Sequence, residues 1–194
     1  MASQPTTPEQ ILDCARALIA TGGYNAFSYA DIAERVGIRK ASIHHHFATK
    51  QDLVRTLVAR YREGAVAGLA ALDVQVPDPG TRLAHYVGYW RECIASASAP
   101  ICLCALLASE MPVLPEPVAA EVRAHFKALS AWLATVLARG AADGHWRLAQ
   151  TPAIEAEAFL AAIHGAMLSA RAYGDAHAFQ VVSQALLARL AASA

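Results

Sequence analysis

The sequence predicts an all-α fold from its alanine content, its helical apolar spacing and its lack of strand patterns. Alanine, the best helix former, occupies 45 of the 194 positions. Apolar residues recur three or four positions apart, whereas alternating runs of β-branched residues are nearly absent. A chain of this length can bury a sizeable core without disulfides or metals. We therefore expect a helical protein built from one large domain or two smaller ones.

The first predicted helix runs from about Pro8 to Thr21. Its apolar face recurs at helical spacing: Ile11, Ala15, Leu18 and Ile19. Gly22 and Gly23 should end it, because glycine accepts the left-handed conformation that closes many helices.

Two short helices should follow, joined by a glycine turn. Ser28 and Asp31 have the spacing of a capping box, which begins the second helix. Gly37 permits a tight turn after it, and a third helix is expected over about Lys40 to Phe47. Ile43 lies one turn before Phe47, so both side chains should face inward.

The remaining elements are also helices separated by Pro and Gly breaks. A helix from Lys50 to about Leu72 opens on a Thr49–Asp52 capping pair, and the domain boundary is placed in it near Glu63. Residues 76–80 and Pro100 are breaks. The later helices are expected over about 80–97, 102–110, 116–139 (ending at Gly140), 152–173 and 177–190.

Charge and cysteine usage narrow the class of protein. The net charge is zero, but residues 1–63 carry +2 and the rest −2, which suits a DNA-binding head. The polar N-terminus lacks a secretory pattern, and the longest uncharged stretch, Cys93–Ser109, falls short of the roughly 20 residues that a membrane span needs. The four cysteines lack zinc or disulfide spacing. A soluble, cytoplasmic protein without membrane association is expected.

The first three helices have the layout of a helix-turn-helix. Two short helices that cross through a glycine turn allow the second one to lie in the major groove of DNA. The third helix should expose hydrogen-bonding side chains suited to base edges and phosphates: Arg39, Lys40, Ser42, His44, His45 and His46. Adjacent histidines on a helix point about 100° apart, so no metal site is expected there.

Residues 11–57 resemble the N-terminal domain of the TetR family of regulators. The landmarks of the resemblance are Ala15, Gly22 or Gly23, Phe27, Asp31-Ile32-Ala33, Gly37, Phe47, Lys50 and Leu53. The resemblance implies a helix-turn-helix DNA-binding domain, residues 1–63, followed by a helical effector-binding and dimerisation domain, residues 64–194. It also implies a homodimer on a palindromic double-stranded operator, without a cofactor.

The resemblance assigns roles in the head by position. Phosphate contacts are expected from Ser28, Tyr29, His44 and Lys50. Base contacts are expected from Arg39, Lys40, Ser42 and His45; the alternative for any one of these residues is a solvated surface position. Two departures stand out. His44 replaces the usual tyrosine, so its phosphate contact should vary with pH. Arg39 replaces a Ser or Thr N-cap, which weakens the cap by roughly 1 kcal/mol.

The C-terminal helices should form a dimer bundle and a pocket for a small molecule of unknown identity. The dimer prediction rests on the apolar last helix and on a small-residue face of the helix before it, although a monomeric core would also explain both. That face consists of Phe159, Ile163 and Ala166 with Ala162, Gly165 and Ala170. Pocket candidates are amphipathic residues within apolar helices, each of which could instead be core or surface: His85, Tyr86, Tyr89, Trp90, Phe126, Trp132, His164, Met167 and Arg171.

The segment Ile101-Cys102-Leu103-Cys104, followed by Glu110, resembles a branch of the family in which a cysteine senses electrophiles or oxidants. Cys102 lies near a predicted helix N-terminus, where a thiolate is stabilised, and Cys93 would be its resolving partner. The alternative is that these cysteines are small core residues.

The sequence thus predicts a DNA-binding regulator, most simply a repressor released from its operator by a small molecule. The alternative is a repressor released by thiol modification at Cys102. An enzyme is not expected, because the chain has no nucleophile elbow, phosphate-binding glycine loop or metal-ligand spacing. A helical interaction module without DNA binding is a third class, which the basic and polar third helix disfavours.

Overall fold

A computed structural model describes residues 7–99 and 101–191, and it is all-α over these ranges. The predicted break at Pro100 lies outside the described residues. The described residues form these α-helices: α1 (Thr7–Gly22), α2 (Tyr29–Val36), α3 (Lys40–His46), α4 (Lys50–Gln75), α5 (Pro79–Ala95), α6 (Leu103–Ala108), α7 (Glu116–Ala142), α8 (Pro152–Tyr173) and α9 (Ala176–Ala191). Short 3-10 turns at Tyr24–Ala26 and Met111–Val113 complete them. The all-α prediction is confirmed.

The chain divides into two compact units. The first unit contains the residues up to Gly64 together with Leu103–His125, and the second contains Ala65–Cys102 and the residues from Phe126 onward. The predicted head lies within the first unit, which also takes in α6 and the start of α7. Helices α4 and α7 each contain one of the division points.

The core of the first unit forms where the apolar face of α1 meets α2 and α3. The side chains of Ile11, Ile19, Ile32 and Ile43 are completely buried, and Leu53 from α4 joins them. At about 25 cal/mol per Å² of apolar surface, such burial is the main stabilising contribution to this small domain. The predicted apolar faces of the first three helices are therefore the faces that pack.

The core of the second unit is built mainly by α8 against α9, with α5 also packed on α9. Phe179, Ile163 and Met167 are completely buried there. Helix α8 is also the one described helix that is long and apolar enough, by length and composition, to cross a membrane. Eight of its residues are buried in the chain, and core helices of soluble proteins pass the same test.

Helix α7 does not end at Gly140, as the sequence predicted, but continues to Ala142. A methyl group at Gly140 would overlap the indole ring of Trp146, which folds back and donates its Nε1–H to the carbonyl of Leu137 at 2.9 Å. Glycine is therefore required at position 140 because the Trp146 ring packs directly against its backbone. The turn itself is made by Gly144, whose φ is +82°.

Candidate DNA-binding surface and effector site

The entry to α2 is the predicted capping box. The Ser28 side chain accepts from the N–H of Ala30 at 3.2 Å, and the Asp31 carboxylate accepts from the Ser28 N–H at 2.6 Å. The Ser28 hydroxyl also donates to the Asp31 carboxylate at 2.7 Å, and this bond, followed by that from the Ser28 N–H, lowers the pKa of Asp31 below its ordinary value. Ser28 therefore holds the start of α2 in place while its side chain remains exposed.

The turn between α2 and α3 is made by Gly37, which is left-handed with φ +76° and ψ +33°. Its N–H donates to the carbonyl of Ala33 at 3.0 Å, which closes the end of α2. Ile43 and Phe47 anchor α3 to the core beneath it. The helix-turn-helix layout of the sequence prediction is therefore present in the first unit.

The outer face of α3 carries the candidate base-reading residues. Arg39, Lys40, His44, His45 and His46 are exposed, and Ser42 is half-buried. Arg39 occupies the N-cap of α3, and within the described chain no side-chain hydrogen bond closes that cap. A Ser or Thr at this position would cap the helix with a side-chain hydrogen bond, whereas Arg39 places a guanidinium there and leaves the cap open.

Tyr29 is not arranged as the predicted phosphate contact. Its side chain is buried, and its hydroxyl donates to the carbonyl of Phe47 at 3.0 Å. Its ring lies edge-on to the imidazole of His44, with the centroids 4.8 Å apart. Tyr29 is therefore a positioning residue, because it ties the end of α3 to α2 and supports His44 from below.

His44 keeps the surface position that the prediction requires. Its Nδ1 lies 3.2 Å from the carbonyl of Ala48, a hydrogen bond that places the proton on Nδ1. This contact fixes the direction of the ring, and in the imidazolium form the exposed Nε2–H would be able to donate to an anion.

Lys50 begins α4 and is held over the loop before α2. Its ammonium donates to the carbonyl of Phe27, and it lies 4.1 Å from the centroid of the Phe27 ring and 4.8 Å from that of Tyr24. Partial burial lowers the pKa of Lys50 below its ordinary value. An ammonium held in this way is pre-organised for an anion at the same edge of the head.

A contact that the sequence did not predict joins the end of α6 to this loop. The Glu110 carboxylate accepts from the backbone N–H of Tyr24 at 2.7 Å. Gly23 leaves room for it, because a methyl group at Gly23 would overlap the carboxylate. The two partners are 86 residues apart, so no local pattern could have paired them; the adjacent glycines were the only signal.

In the second unit, the structure separates the predicted effector residues into two groups. Tyr86, Trp90, His164 and Met167 are buried, and Phe126 and Trp132 are half-buried. His85, Tyr89 and Arg171 are exposed. These three side chains lie on the faces of α5 and α8 that are turned away from the core, so they do not join the buried group.

Two aromatic pairs organise the buried group. The rings of Tyr86 and Trp132 have centroids 5.5 Å apart, and those of Phe126 and His164 are 5.0 Å apart. The Trp132 indole N–H donates to the Asp73 carboxylate at 3.0 Å. The His164 Nε2, by contrast, is buried without a hydrogen-bond partner among the described residues. The buried Tyr86 hydroxyl, towards which the Trp90 indole N–H donates, has no acceptor there for its own proton.

Cys102 is completely buried, as is Cys104. It directly precedes α6, as predicted, and lies close enough to Tyr86 to contribute to the raised pKa of that hydroxyl. Reactive cysteines are usually partly exposed and close to basic groups. The burial of Cys102 is therefore that of a core cysteine, which disfavours its predicted role as a sensor.

Comparisons with known proteins cover both units. Residues 11–57 match the family model described as bacterial regulatory proteins, tetR family, and residues 79–186 match that of the tetracyclin repressor-like C-terminal domain. A TetR family transcriptional regulator from Agrobacterium tumefaciens is 57% identical, with a TM-score of 0.92 over 94% of this chain and 96% of that one.

A TetR transcriptional regulator from Legionella pneumophila is 26% identical, with a TM-score of 0.86 over 97% of this chain and 100% of that one. The HTH-type transcriptional repressor KstR2 of Mycobacterium tuberculosis is 37% identical over 62 residues, which cover 28% of this chain and 31% of that protein. The match thus spans about a third of the length of this curated relative.

Proposed function

This chain belongs to the TetR family of bacterial regulatory proteins, and we propose that it is a homodimeric repressor released from its operator by a small molecule. It is a DNA-binding regulator, as its relatives are. The observation that carries the proposal is the exposed polar face of α3, held on the buried anchors Ile43 and Phe47. No enzymatic activity is proposed, and a protein that acts on the chromosome is expected in the cytoplasm.

The head supports DNA binding through two kinds of group. Arg39, Lys40, Ser42 and His45 lie on the face of α3 that would enter the major groove. Ser28, His44 and Lys50 are the proposed phosphate contacts. Tyr29 is left out of the contact set because its hydroxyl is engaged inside the protein.

The dimer is supported by apolar residues that the single chain leaves exposed on α8 and α9. On α8 they recur at alternating spacings of four and three: Ile154, Ala158, Ala161, Gly165, Leu168 and Ala172. Val181, Ala185 and Ala188 form a matching stripe on α9. This spacing is that of helices that pack closely at a shallow angle. Two copies that pair these stripes would form a four-helix bundle.

The prediction of which residues form the dimer face was wrong in part. Phe159, Ile163, Ala166 and Ala170 are already buried within the chain. They are therefore unavailable to a second copy, and of the predicted small-residue face Gly165 remains exposed.

The effector site is proposed in the second unit, at the buried and half-buried aromatic residues of α5, α7 and α8: Tyr86, Trp90, Phe126, Trp132, His164 and Met167. A mostly apolar set with a few polar atoms is the usual composition of a small-molecule site. Binding there would favour a conformation with lower operator affinity, and linkage requires operator DNA to weaken effector binding by the same factor.

Thiol modification at Cys102 is a second candidate, supported by its position before α6 and opposed by its burial. The test is operator affinity before and after treatment with peroxide or a thiol alkylator, in the parent protein and in Cys102→Ser. Release that persists in the Cys102→Ser variant would exclude Cys102 from the mechanism.

The central experiment is the selection of bound fragments from the source genome, followed by affinity measurements as salt is varied. Contacts to several phosphates predict a steep fall of affinity with salt. Lys50→Ala should weaken binding to all sequences alike, whereas Lys40→Ala should reduce discrimination between operators. If the dimer shows no binding to any fragment at low salt, the proposed function is wrong.

A further inference from the structure

Two polar atoms inside the second unit are left with unused hydrogen-bonding capacity. The Tyr86 hydroxyl on α5 and the His164 Nε2 on α8 are shielded from solvent, in residues that are only 5% and 7% exposed. His164 Nε2 has no hydrogen-bond partner among the described residues, and the Tyr86 hydroxyl, towards which the Trp90 indole N–H donates, has no acceptor there for its own proton. An unsatisfied buried donor or acceptor costs about 1–3 kcal/mol, and native proteins contain few of them. Both atoms belong to the proposed effector set.

The surroundings of these two atoms are aromatic and apolar. The Tyr86 ring packs against Trp132, and the His164 ring packs edge-on against Phe126. Along the same helices, Leu83 and Val87 on α5 and Ile163 on α8 are buried. The environment thus provides hydrophobic contact area and two hydrogen-bonding points.

The described part of the second unit contains no buried Lys, Arg, Asp or Glu side chain. Its half-buried charges are already engaged: Arg82 pairs with Asp73 at 3.1 Å, and Asp78 lies 3.2 Å from the imidazole of His145. The Glu155 carboxylate accepts from the N–H of Gln150 at 2.9 Å. Apart from the imidazole of His164, this interior therefore offers no group that could carry a counter-charge, and burial of an ion without one is strongly unfavourable.

The Tyr86 hydroxyl can serve as a hydrogen-bond donor. Burial raises the pKa of Tyr86 well above its ordinary value; the charge of a Cys102 thiolate would raise it further, and the hydrogen bond from Trp90 lowers it by less. The hydroxyl therefore keeps its proton at neutral pH and can give it to an oxygen acceptor. The His164 Nε2 can donate or accept, depending on its tautomer.

We infer that the effector is an uncharged, largely apolar molecule with a carbonyl or hydroxyl oxygen that accepts a hydrogen bond from Tyr86, and that His164 pairs with a second polar atom or with the same one. This inference rests on the proposed function, since it specifies the ligand class of the proposed effector site. It excludes carboxylates, phosphates and ammonium compounds as effectors at this site.

The test compares three probes of one size: 2-acetylnaphthalene, naphthalene-2-carboxylate and 2-naphthylmethylammonium. Calorimetry on the full chain at neutral pH should show the neutral ketone binding at least about tenfold more tightly than either ion. Tyr86→Phe should weaken the ketone about tenfold, equivalent to one hydrogen bond of about 1.4 kcal/mol. Equal or tighter binding of an ion, or no binding of the ketone at 0.2 mM, would overturn the inference.

Thermal unfolding of the ligand-free variants separates a ligand-facing role from a structural one. Removal of a hydroxyl without an acceptor in Tyr86→Phe should leave the unfolding temperature unchanged or raise it, and His164→Leu should behave in the same way. Tyr173→Phe, at an exposed position on α8, is the matched control for both binding and unfolding. A fall in unfolding temperature for Tyr86→Phe would show an internal acceptor and contradict the inference.

Operator binding by the same preparations keeps the two proposals apart. Retained operator binding with preference for an ionic probe would overturn only the ligand class. Absent operator binding would overturn the proposed function, whichever probe binds.

Discussion

A buried tyrosine hydroxyl is treated in opposite ways in the two units. In the first unit, the buried hydroxyl of Tyr29 donates to a carbonyl, and the Glu110 carboxylate accepts from a backbone N–H. In the second unit, the buried hydroxyl of Tyr86 has no acceptor for its proton in the part of the chain that the structure describes. Both tyrosines are 5% exposed, so the difference lies in their hydrogen bonds and not in their burial.

This contrast agrees with the places that we propose for the two ligands. The first unit satisfies its interior and turns unpaired polar groups outward on α3, as a rigid surface for an external polyanion requires. The second unit leaves polar atoms unsatisfied inside, where a small molecule could complete them. The predictions that follow test this contrast, beginning with the largest expected effect.

Gly23→Ala should destabilise the first unit by about 3 kcal/mol. Gly23 has φ +84° and ψ −174°, a region essentially restricted to glycine, and its methyl group would displace the Glu110 carboxylate from Tyr24. Urea denaturation gives the loss. Gly37→Ala is the control, since it has a positive φ but no described atom within 4 Å of the added methyl group; it should cost about 1 kcal/mol. Equal losses would mean that the Glu110 contact contributes nothing.

Tyr29→Phe should lower the free energy of unfolding by about 1–2 kcal/mol, because it leaves the carbonyl of Phe47 without its donor. Tyr86→Phe removes the same atom from an equally buried ring and should cost nothing. The difference in unfolding free energy between the two variants measures the contrast between the units directly. A similar loss of stability in both variants would contradict that contrast.

The two N-caps of the helix-turn-helix should respond in opposite directions. Ser28→Ala should cost about 1 kcal/mol, because it breaks the capping box of α2. Arg39→Ser should gain about 0.5–1 kcal/mol by giving α3 the cap that it lacks, while it weakens operator binding. Unfolding and DNA-binding measurements on the same variants would show whether Arg39→Ser gains stability and loses operator affinity. Tighter operator binding by Arg39→Ser would show that the guanidinium does not contact DNA.

Alkaline titration should distinguish Tyr29 by its late ionisation. Burial, followed by the Asp52 carboxylate and Tyr24, raises the pKa of Tyr29 to about 12. The folded pKa lies above the unfolded value of about 10, so this stabilisation is complete below pH 10 and is lost as pH rises towards 12. Absorbance near 295 nm should show one fewer late-ionising tyrosine in Tyr29→Phe. An unchanged titration curve would contradict the assignment.

Local signals predicted the head well. Ser28, Asp31 and Gly37 act within a few residues of one another, so their capping and turn roles are visible in the sequence alone. Gly140 shows the limit of such signals. Its local pattern indicates a helix end, but its actual constraint is the ring of Trp146, which comes from beyond the next turn.

The functional residues were predicted less completely, because a residue type does not reveal its partner. Tyr29 and Tyr86 look equally suited to contact a ligand, yet one hydroxyl has an internal acceptor and the other does not. The Glu110 contact joins segments 86 residues apart, and His85 and Tyr89 differ from Tyr86 only in the direction in which α5 turns them. These distinctions depend on tertiary packing.

All three tryptophans of the chain, Trp90, Trp132 and Trp146, lie in the second unit. Light absorbed at 295 nm is therefore emitted almost entirely by the second unit, which does not carry α3, so the protein has a natural fluorescent label in that unit alone. A change in this emission when operator DNA is added would mean that occupation of the head has altered the other unit. Communication between the two units could thus be followed in a cuvette without a dye, a substitution or knowledge of the effector.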